Sequence, residues 1–235
     1  MALKIFGGEN APKQTQSFSS DIVGRFRSGY VENDRPVALE TWRVTTGDPD
    51  VAGKVAEMLG GDEAQNWETK GEDNLEVFGK ENSVEVILEG AKAVRQAMVL
   101  YGRKGIIYVS DGETITYPDE RKGETDPQAG EDLATRKAKD KEGTGAQPRL
   151  EVYFRLAEDP EMGIFKFQSG SWSFASDLAY HGVEDQLTDL VADGVERIAA
   201  TLSLEVVTFT AKNGPRAGKE VRYTKPVLTI KGAAE

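Results

Sequence analysis

Cysteine is absent from the 235 residues, and histidine occurs once, at position 181. The absence of cysteine excludes disulfide bonds, thiolate nucleophiles and thiolate metal sites. A zinc site would need carboxylates almost alone, which is unusual, so we predict no metal and no cofactor. His181 is expected to cap a helix or lie on the surface, because no Gly-x-Ser-x-Gly motif accompanies it as in a hydrolase triad.

Long hydrophobic runs are also missing, and none approaches the roughly 18 consecutive apolar residues of a membrane span. The opening MALKIFGGENAPK has no apolar stretch of the kind found in signal peptides. The sequence therefore predicts a soluble, unexported protein that does not bind membranes and that resides in a reducing compartment.

Acidic residues outnumber basic ones 40 to 29, which gives a formal net charge of -11. Residues 47–90 carry 12 acidic and 3 basic groups, whereas residues 212–235 carry 6 basic and 2 acidic groups. Affinity for duplex DNA depends on neutralising phosphates, so this distribution predicts little or no binding to free duplex DNA. A local phosphate contact by the basic C-terminal segment stays open.

Apolar periodicity predicts an α+β fold of mostly antiparallel sheets with a few amphipathic helices. Asp111-Gly112 lies between two β-rich runs and predicts a hairpin. Several segments are typical of strands, namely VALETWRV, LEVFG, SVEVILEG, RLEVYFRLA and GIFKFQSGSWSF.

Helices are predicted at two further places. Asp48 followed by Pro49 has the form of an N-cap and first helical position. Farther along, apolar residues recur mainly at steps of three and four and predict one amphipathic helix, with Val183, Leu187, Leu190, Val191, Val195, Ile198 and Leu202 on its apolar face.

Four segments are predicted along the chain. Residues 1–23 form a flexible N-terminal arm, residues 24–117 an α+β lobe, and residues 149–235 a lobe of β-β-α-β-β order. Residues 118–148 are rich in charge and nearly devoid of large apolar side chains, which predicts a mobile linker or loop. A short helix around Leu133 to Lys141 is the only regular element that we place within it.

Catalytic motifs are hard to find in this sequence. There is no P-loop, and the paired carboxylates of an acidic chain are more typical of a solvated surface than of glycosidase or magnesium chemistry. We therefore predict that the protein is not an enzyme.

Binding features are better represented. In GRFRSGY, alternation places Arg25 and Arg27 on one face of an extended segment and Phe26 on the other. Two interpretations stay open: both arginines, with Tyr30 nearby, contact a partner, or they belong to an ordinary strand and are solvated or paired internally.

A second aromatic cluster occurs in FKFQSGSWSF. Phe165 and Phe167 alternate along a predicted strand and are expected in the core. Trp172 follows Gly170 and, with Phe174, is a candidate to anchor a protein interface or to stack on single-stranded bases.

Between residues 24 and 210 the sequence resembles the recombination directionality factor family of actinobacterial phages, the small partners of large serine integrases. The segments that carry the resemblance are GRFRSGYVENDRPVALETWRVTTGDPDVAGKVAEMLGG, NWETKGEDNLEVF, SVEVILEG, YGRKGIIYVSDG and VYFRLAEDPEMGIFKFQSGSWSF. The resemblance implies a non-enzymatic regulator in the cytoplasm of the bacterial host. Its implied partner is the phage integrase on att-site DNA, bound chiefly through the integrase's coiled-coil projection.

The implied effect is a switch from attP × attB integration to attL × attR excision of the prophage. No short family motif maps the contact residues, so the five candidates above come from residue chemistry. The main alternative is a single-stranded nucleic-acid binding phage protein that uses Trp172, Phe174 and the basic C-terminal segment. An enzyme with a carboxylate-only metal site and a phage structural protein remain as further alternatives.

Overall fold

Strands dominate the computed structural model of the chain, and the predicted α+β class is confirmed. The predicted N-terminal arm falls outside the described residues except for Ile22 and Val23, which lie in the first strand. The structure describes residues 22–33, 35–69, 71, 73–212 and 217–234.

The regular elements of the described residues are twelve strands and four α-helices, together with short 3-10 turns. In chain order they are β1 (Ile22–Glu32), β2 (Arg35–Thr46), α1 (Pro49–Met58), β3 (Gln65–Asn66), β4 (Leu75–Phe78), β5 (Ser83–Glu89), β6 (Val94–Gly102), β7 (Gly105–Ser110), β8 (Ile115–Tyr117), α2 (Leu133–Lys141), β9 (Gln147–Leu156), β10 (Ile164–Ser169), α3 (Trp172–Tyr180), α4 (Val183–Ala192), β11 (Arg197–Thr210) and β12 (Glu220–Ala233).

These elements form two compact units, each built from segments that are far apart in the sequence. The unit that we call the ribbon unit contains the described residues from Ile22 to Leu88, Tyr153–Phe167 and the described residues from Glu196 onward. The hairpin unit contains Glu89–Val152 and Gln168–Val195. This division differs from the predicted lobes at 24–117 and 149–235, because strands that pair with one another come from distant parts of the chain.

The ribbon unit takes its shape from strands in the order β12-β11-β5-β9-β10-β1-β2-β4-β3. β1 runs parallel to β10 and antiparallel to β2. Most of the aromatic rings in its core meet edge to face, whereas Phe154 and Phe165 stack, and both arrangements are favoured for aromatic pairs. Phe165 and Phe167 are fully buried there as predicted. The rings in mutual contact are those of Phe26, Trp42, Phe154, Phe165 and Phe167.

The hairpin unit is built on the first part of β9, which pairs with β6, while β7 pairs with β6 and β8. Asp111-Gly112 lies between β7 and β8, so the predicted hairpin is confirmed. The unit also contains α2, α3 and α4. The buried residues of α3 and α4 are Phe174, Ala175, Leu178, Val183 and Leu187.

Helix boundaries follow the predicted signals at α1 and depart from them at α4. Asp48 caps α1 by accepting hydrogen bonds from the backbone N–H groups of Asp50 and Val51, and Pro49 opens the helix. The predicted helix from 183 to 202 is wrong beyond Ala192, since Gly194 adopts a φ of 86° and the chain continues as β11.

Residues 118–148 are folded, in contrast to the mobile linker predicted from their composition. The helix around Leu133 to Lys141 is confirmed as α2, with Asp132 as its N-cap. Arg136 of this helix is only 1% exposed and donates hydrogen bonds to the carbonyls of Gly112 and Gln128. Buried polar groups, rather than large apolar ones, hold this segment in place.

Candidate protein-binding surface

Alternation along β1 sends its arginines and its aromatic residue to opposite faces. Phe26 is 1% exposed, and its ring lies 5.2 to 5.6 Å from the rings of three other aromatic residues. Arg25 and Arg27 are half-buried on the other face. The predicted separation of the two arginines from Phe26 is therefore confirmed.

Strand register extends this face across β2 and β4. Arg27 lies opposite Arg43, and Arg43 lies opposite Phe78. Directly opposed residues of antiparallel strands point to the same face, so the three side chains form a row. Trp67, just after β3, lies against Arg43 and Arg27 of this row. We call Arg25, Arg27, Arg43, Trp67 and Phe78 the arginine–tryptophan surface.

Trp67 binds two of the arginines through its ring. The guanidinium carbon of Arg43 lies 4.6 Å from the Trp67 ring centroid, and that of Arg27 lies 5.5 Å away. The indole Nε1 donates a 2.6 Å hydrogen bond to the carbonyl of Asp73. This bond fixes the ring while its face stays against the cations, an arrangement that contributes roughly 0.5–2 kcal/mol per cation–π contact.

Two carboxylates neutralise two of the three arginines. Arg43 is almost fully buried and pairs with Glu76, its Nε lying 2.7 Å from the carboxylate. Arg25 pairs with Asp73, with 2.7 Å between Nε and Oδ2. This pair lies in part at the surface, where such bridges are worth about 0–1 kcal/mol.

Arg27 has no carboxylate partner among the described residues. Its Nε donates a 2.9 Å hydrogen bond to the hydroxyl of Thr45. Burial, followed by the charges of Arg43 and Arg25, lowers the pKa of Arg27 from its ordinary value. The shift means that the local environment disfavours its positive charge. An incoming carboxylate at this position would relieve that cost.

Tyr30 lies near the same surface. Its ring is half-buried and meets Phe78 edge to face, with 5.9 Å between the ring centroids. Thus three of the five candidates from the sequence, Arg25, Arg27 and Tyr30, lie on or beside the arginine–tryptophan surface in the ribbon unit.

Trp172 and Phe174 lie in the hairpin unit, in a helix rather than in the strand predicted for them. Ser171 caps α3 by accepting a hydrogen bond from the N–H of Phe174. Trp172 donates a 2.6 Å hydrogen bond from Nε1 to Asp140 and so ties α3 to α2. Phe174 is fully buried and presents no surface to a partner.

Arg43, Trp67 and Phe78 were not among the residues singled out from the sequence. Their signal is indirect: Arg43 and Phe78 lie in predicted strands, and only the pairing register shows that they meet Arg27. Trp67 lies in the polar segment QNWETKGEDN, where no periodicity marks it.

The arginine–tryptophan surface combines guanidinium groups with the face of an aromatic ring. No group of three or more potential metal ligands occurs in the described ranges. His181 is exposed at the C-cap of α3, as predicted. No helix of the described chain is long and apolar enough to cross a membrane. Planar cations stacked on aromatic rings are common contacts in protein interfaces.

Comparison with known proteins gives a match to one family. The Gp3-like family, described as recombination directionality factor-like, matches residues 23–231, which include every residue of the arginine–tryptophan surface. No solved structure matches the chain. A match over nearly the whole length shows that the chain belongs to the Gp3-like family of recombination directionality factor-like proteins.

Proposed function

We propose that the protein binds a phage large serine integrase and switches it from attP × attB integration to attL × attR excision. The observation that carries this proposal is the family match over residues 23–231. A recombination directionality factor is a regulator rather than an enzyme, and we place its action in the bacterial cytoplasm, where the integrase and its att-site DNA meet.

Charge supports a protein partner over naked DNA. The chain carries a net charge of -11, and residues 47–90 alone carry 12 acidic groups against 3 basic ones. Such a block repels phosphate, whereas non-specific DNA affinity comes from lysine and arginine. The integrase supplies the DNA affinity and the chemistry, so its regulator needs neither.

Binding alone does not explain a switch in direction. A ligand shifts a conformational equilibrium only if it binds one state more tightly than the other. A typical coupling free energy is about 1–3 kcal/mol, which corresponds to roughly 5- to 150-fold in relative affinity. The protein must therefore prefer the integrase conformation that synapses attL with attR.

The arginine–tryptophan surface is the contact that we assign to the integrase, at its coiled-coil projection. Arg27 lacks a carboxylate among its described neighbours, and burial disfavours its charge, so an acidic side chain of the partner would pair with it favourably. Helical projections commonly expose glutamate, which has the required charge.

The main alternative, single-strand binding through Trp172 and Phe174, is less well supported. Stacking needs an exposed ring face. Phe174 is fully buried, and Lys137 Nζ lies over the face of the Trp172 ring, 6.0 Å from its centroid.

The test is recombination in vitro with the purified integrase and paired att sites, with and without this protein, beside a gel shift on DNA alone. We expect attL × attR recombination only when the protein is added, and no shift of naked duplex. Unchanged recombination together with a shift of DNA alone would contradict the proposal and favour the nucleic-acid alternative.

The double variant Arg25→Ala/Arg27→Ala then tests the surface. We expect weaker integrase binding and an unchanged fold, because the one ion pair that it removes, Arg25–Asp73, is partly exposed. Lys54→Ala is the matched control, since it removes an exposed ion pair with Asp159 in the same unit. Unfolding of the double variant would mean that the two arginines are structural.

A further inference from the structure

The tip of the β6–β7 hairpin is an exposed part of the hairpin unit. β6 ends at Gly102 and β7 begins at Gly105, so Arg103 and Lys104 form a two-residue turn. Every residue from Tyr101 to Ile107 is exposed, whereas the next three residues of β7 are buried. The base of this hairpin is therefore buried in the core, and its tip is exposed.

Large apolar side chains occupy this tip. Tyr101, Ile106 and Ile107 are 43%, 39% and 47% exposed. Tyr117 of β8, 51% exposed, lies opposite Val109 of β7 in the same unit. Isolated exposed apolar residues are ordinary, but several together indicate an interaction surface.

A β-bulge places the two isoleucines outward together. Leu100 pairs with Tyr108 and Tyr101 pairs with Ile106, which leaves Ile107 as an extra residue on β7. Bulges re-aim side chains that strict alternation would send inward. Gly102 makes room for this arrangement, because a Cβ there would lie 2.9 Å from Ile107 Cδ1.

The charge of the tip is opposite to that of the chain. Residues 90–110 contain four basic residues and no acidic one, although the net charge of the chain is -11. Arg103 and Lys104 form no ion pair within the described ranges. The complementary partner is therefore apolar with acidic groups around it.

A protein surface fits this chemistry better than a nucleic acid. Three of the five large side chains from Tyr101 to Ile107 are aromatic or aliphatic, and interface cores are enriched in apolar and aromatic side chains and in arginine. Two cations neutralise too few phosphates to hold duplex DNA. We propose that the β6–β7 tip is a second contact surface for the integrase, receiving an apolar patch bordered by carboxylates.

This inference rests on the proposed function for the identity of the partner, and it adds a surface in the other unit. Its test is the dissociation constant of the full-length protein for the purified integrase. Two variants remove the two components of the tip. Ile106→Thr/Ile107→Thr removes apolar area but keeps β-branched side chains that suit a strand, and Arg103→Glu/Lys104→Glu reverses the charge.

We expect each variant to bind the integrase at least about tenfold more weakly, with an unchanged melting temperature because the substituted side chains are exposed. Val191→Ala is the control, since Val191 is 41% exposed on α4 of the same unit. The control should bind like the wild type.

Other outcomes overturn the inference in distinguishable ways. If the wild type binds the integrase and both variants bind equally well, the tip is not a contact, while the proposed function stands. If the wild type does not bind the integrase, the proposed function fails and the inference falls with it. If the isoleucine variant instead abolishes self-association seen by ultracentrifugation, the tip joins two copies of this chain.

Discussion

At the scale of single residues, Arg27 differs from the two arginines beside it. Arg25 and Arg43 each have a carboxylate, whereas Arg27 rests on a hydroxyl and on the face of Trp67. Three cations against two carboxylates leave one positive charge that neighbouring groups only partly offset. A partner that supplies an acidic group gains most at this position.

The first prediction concerns Arg27. Arg27→Ala should weaken integrase binding by about 1–2 kcal/mol, or roughly 5- to 30-fold, and Arg27→Lys should lie between, because lysine keeps the charge but not the planar stacking on Trp67. Titration of labelled protein with integrase measures this order. Wild-type affinity in Arg27→Ala would remove Arg27 from the interface.

The second prediction compares two glycines of the ribbon unit. A Cβ at Gly29 would lie 2.6 Å from the carbonyl oxygen of Val37, whereas one at Gly53, in α1, would meet nothing within 4 Å. Gly29→Ala should therefore lower the free energy of unfolding by about 1–3 kcal/mol, and Gly53→Ala should raise it by up to about 1 kcal/mol. Urea unfolding of both variants checks the opposite signs; equal effects would contradict the geometry.

The sequence predicted only the part of the arginine–tryptophan surface that lies within β1. Alternation was enough to separate Arg25 and Arg27 from Phe26, because it depends on neighbours in sequence. The contact with Trp67 depends on which residues of β2 and β4 oppose β1, and a register is not encoded in any single strand.

At the scale of elements, capping signals were the most reliable guide to helices. Asp48 satisfies two backbone N–H groups at the start of α1, at 2.8 Å from Asp50 and 3.4 Å from Val51. Such bonds join residues two and three positions apart, so the sequence alone shows the motif. Asp132 caps α2 in the same way, by accepting a hydrogen bond from the backbone N–H of Thr135.

The third prediction tests the cap of α1. Asp48→Ala should cost about 1 kcal/mol of stability, because the first turn loses its acceptor. Asp50→Ala is the control, since Asp50 lies in the same turn but its side chain is not the cap. Thermal unfolding should show the larger drop for Asp48→Ala, and a reversed order would contradict the capping assignment.

The spacing of apolar residues wrongly predicted a helix over the start of β11, where the helical and strand periods coincide. Ile198 and Leu202 are four residues apart, which suits a helix, but burial in β11 alternates through Ala200 and Leu204 as well. A step of four satisfies both a period of 3.6 and a period of two. Gly194 was the available signal that the helix stops before this segment.

The fourth prediction concerns residues 118–148, for which the composition predicted a mobile linker or loop. Asp126 accepts hydrogen bonds from the hydroxyls of Ser110 and Tyr108, and Arg136 donates to the carbonyls of Gly112 and Gln128. Burial, followed by the charge of Asp126, raises the pKa of Tyr108, which keeps it a donor. A prediction of disorder from the number of apolar residues takes no account of such buried hydrogen bonds.

Arg136→Ala should therefore destabilise the protein by roughly 2–4 kcal/mol, since it removes the side-chain donor to the buried carbonyl of Gly112 and one of the two donors to the carbonyl of Gln128. Limited proteolysis should then cut within 118–148, where the wild type resists. Arg121→Ala is the control, because Arg121 forms an exposed pair with Glu124 in the same segment. Equal resistance in Arg136→Ala would show that the buried bonds do not hold the segment.

At the scale of the whole molecule, the units are discontinuous in sequence. β1 pairs with β10, and β5 lies between β9 and β11 in the strand order. The hairpin unit is also made of separate segments. The predicted lobes are continuous in sequence, because pairing between distant strands cannot be recognised from the sequence of either strand alone.

The fifth prediction follows from this connectivity. A fragment of residues 24–117 should not fold by itself, since its strands lack β9, β10 and β11 as partners. Circular dichroism and amide chemical-shift dispersion should show an unfolded or aggregated fragment beside a folded full-length chain. A fragment with native dispersion would support the lobe boundaries expected from the sequence.

The position of β11 in the strand order also has a consequence for synthesis on the ribosome. β5 ends at Glu89, and its neighbour β11 begins at Arg197. Because the ribosome adds roughly 5–20 residues per second, on the order of ten seconds pass between the synthesis of β5 and that of β11. During this time the nascent chain has an unpaired strand edge, which favours aggregation or chaperone binding. A chain truncated before β11 would keep the edge of β5 unpaired, so we expect it to aggregate or to be degraded rather than to bind a partner.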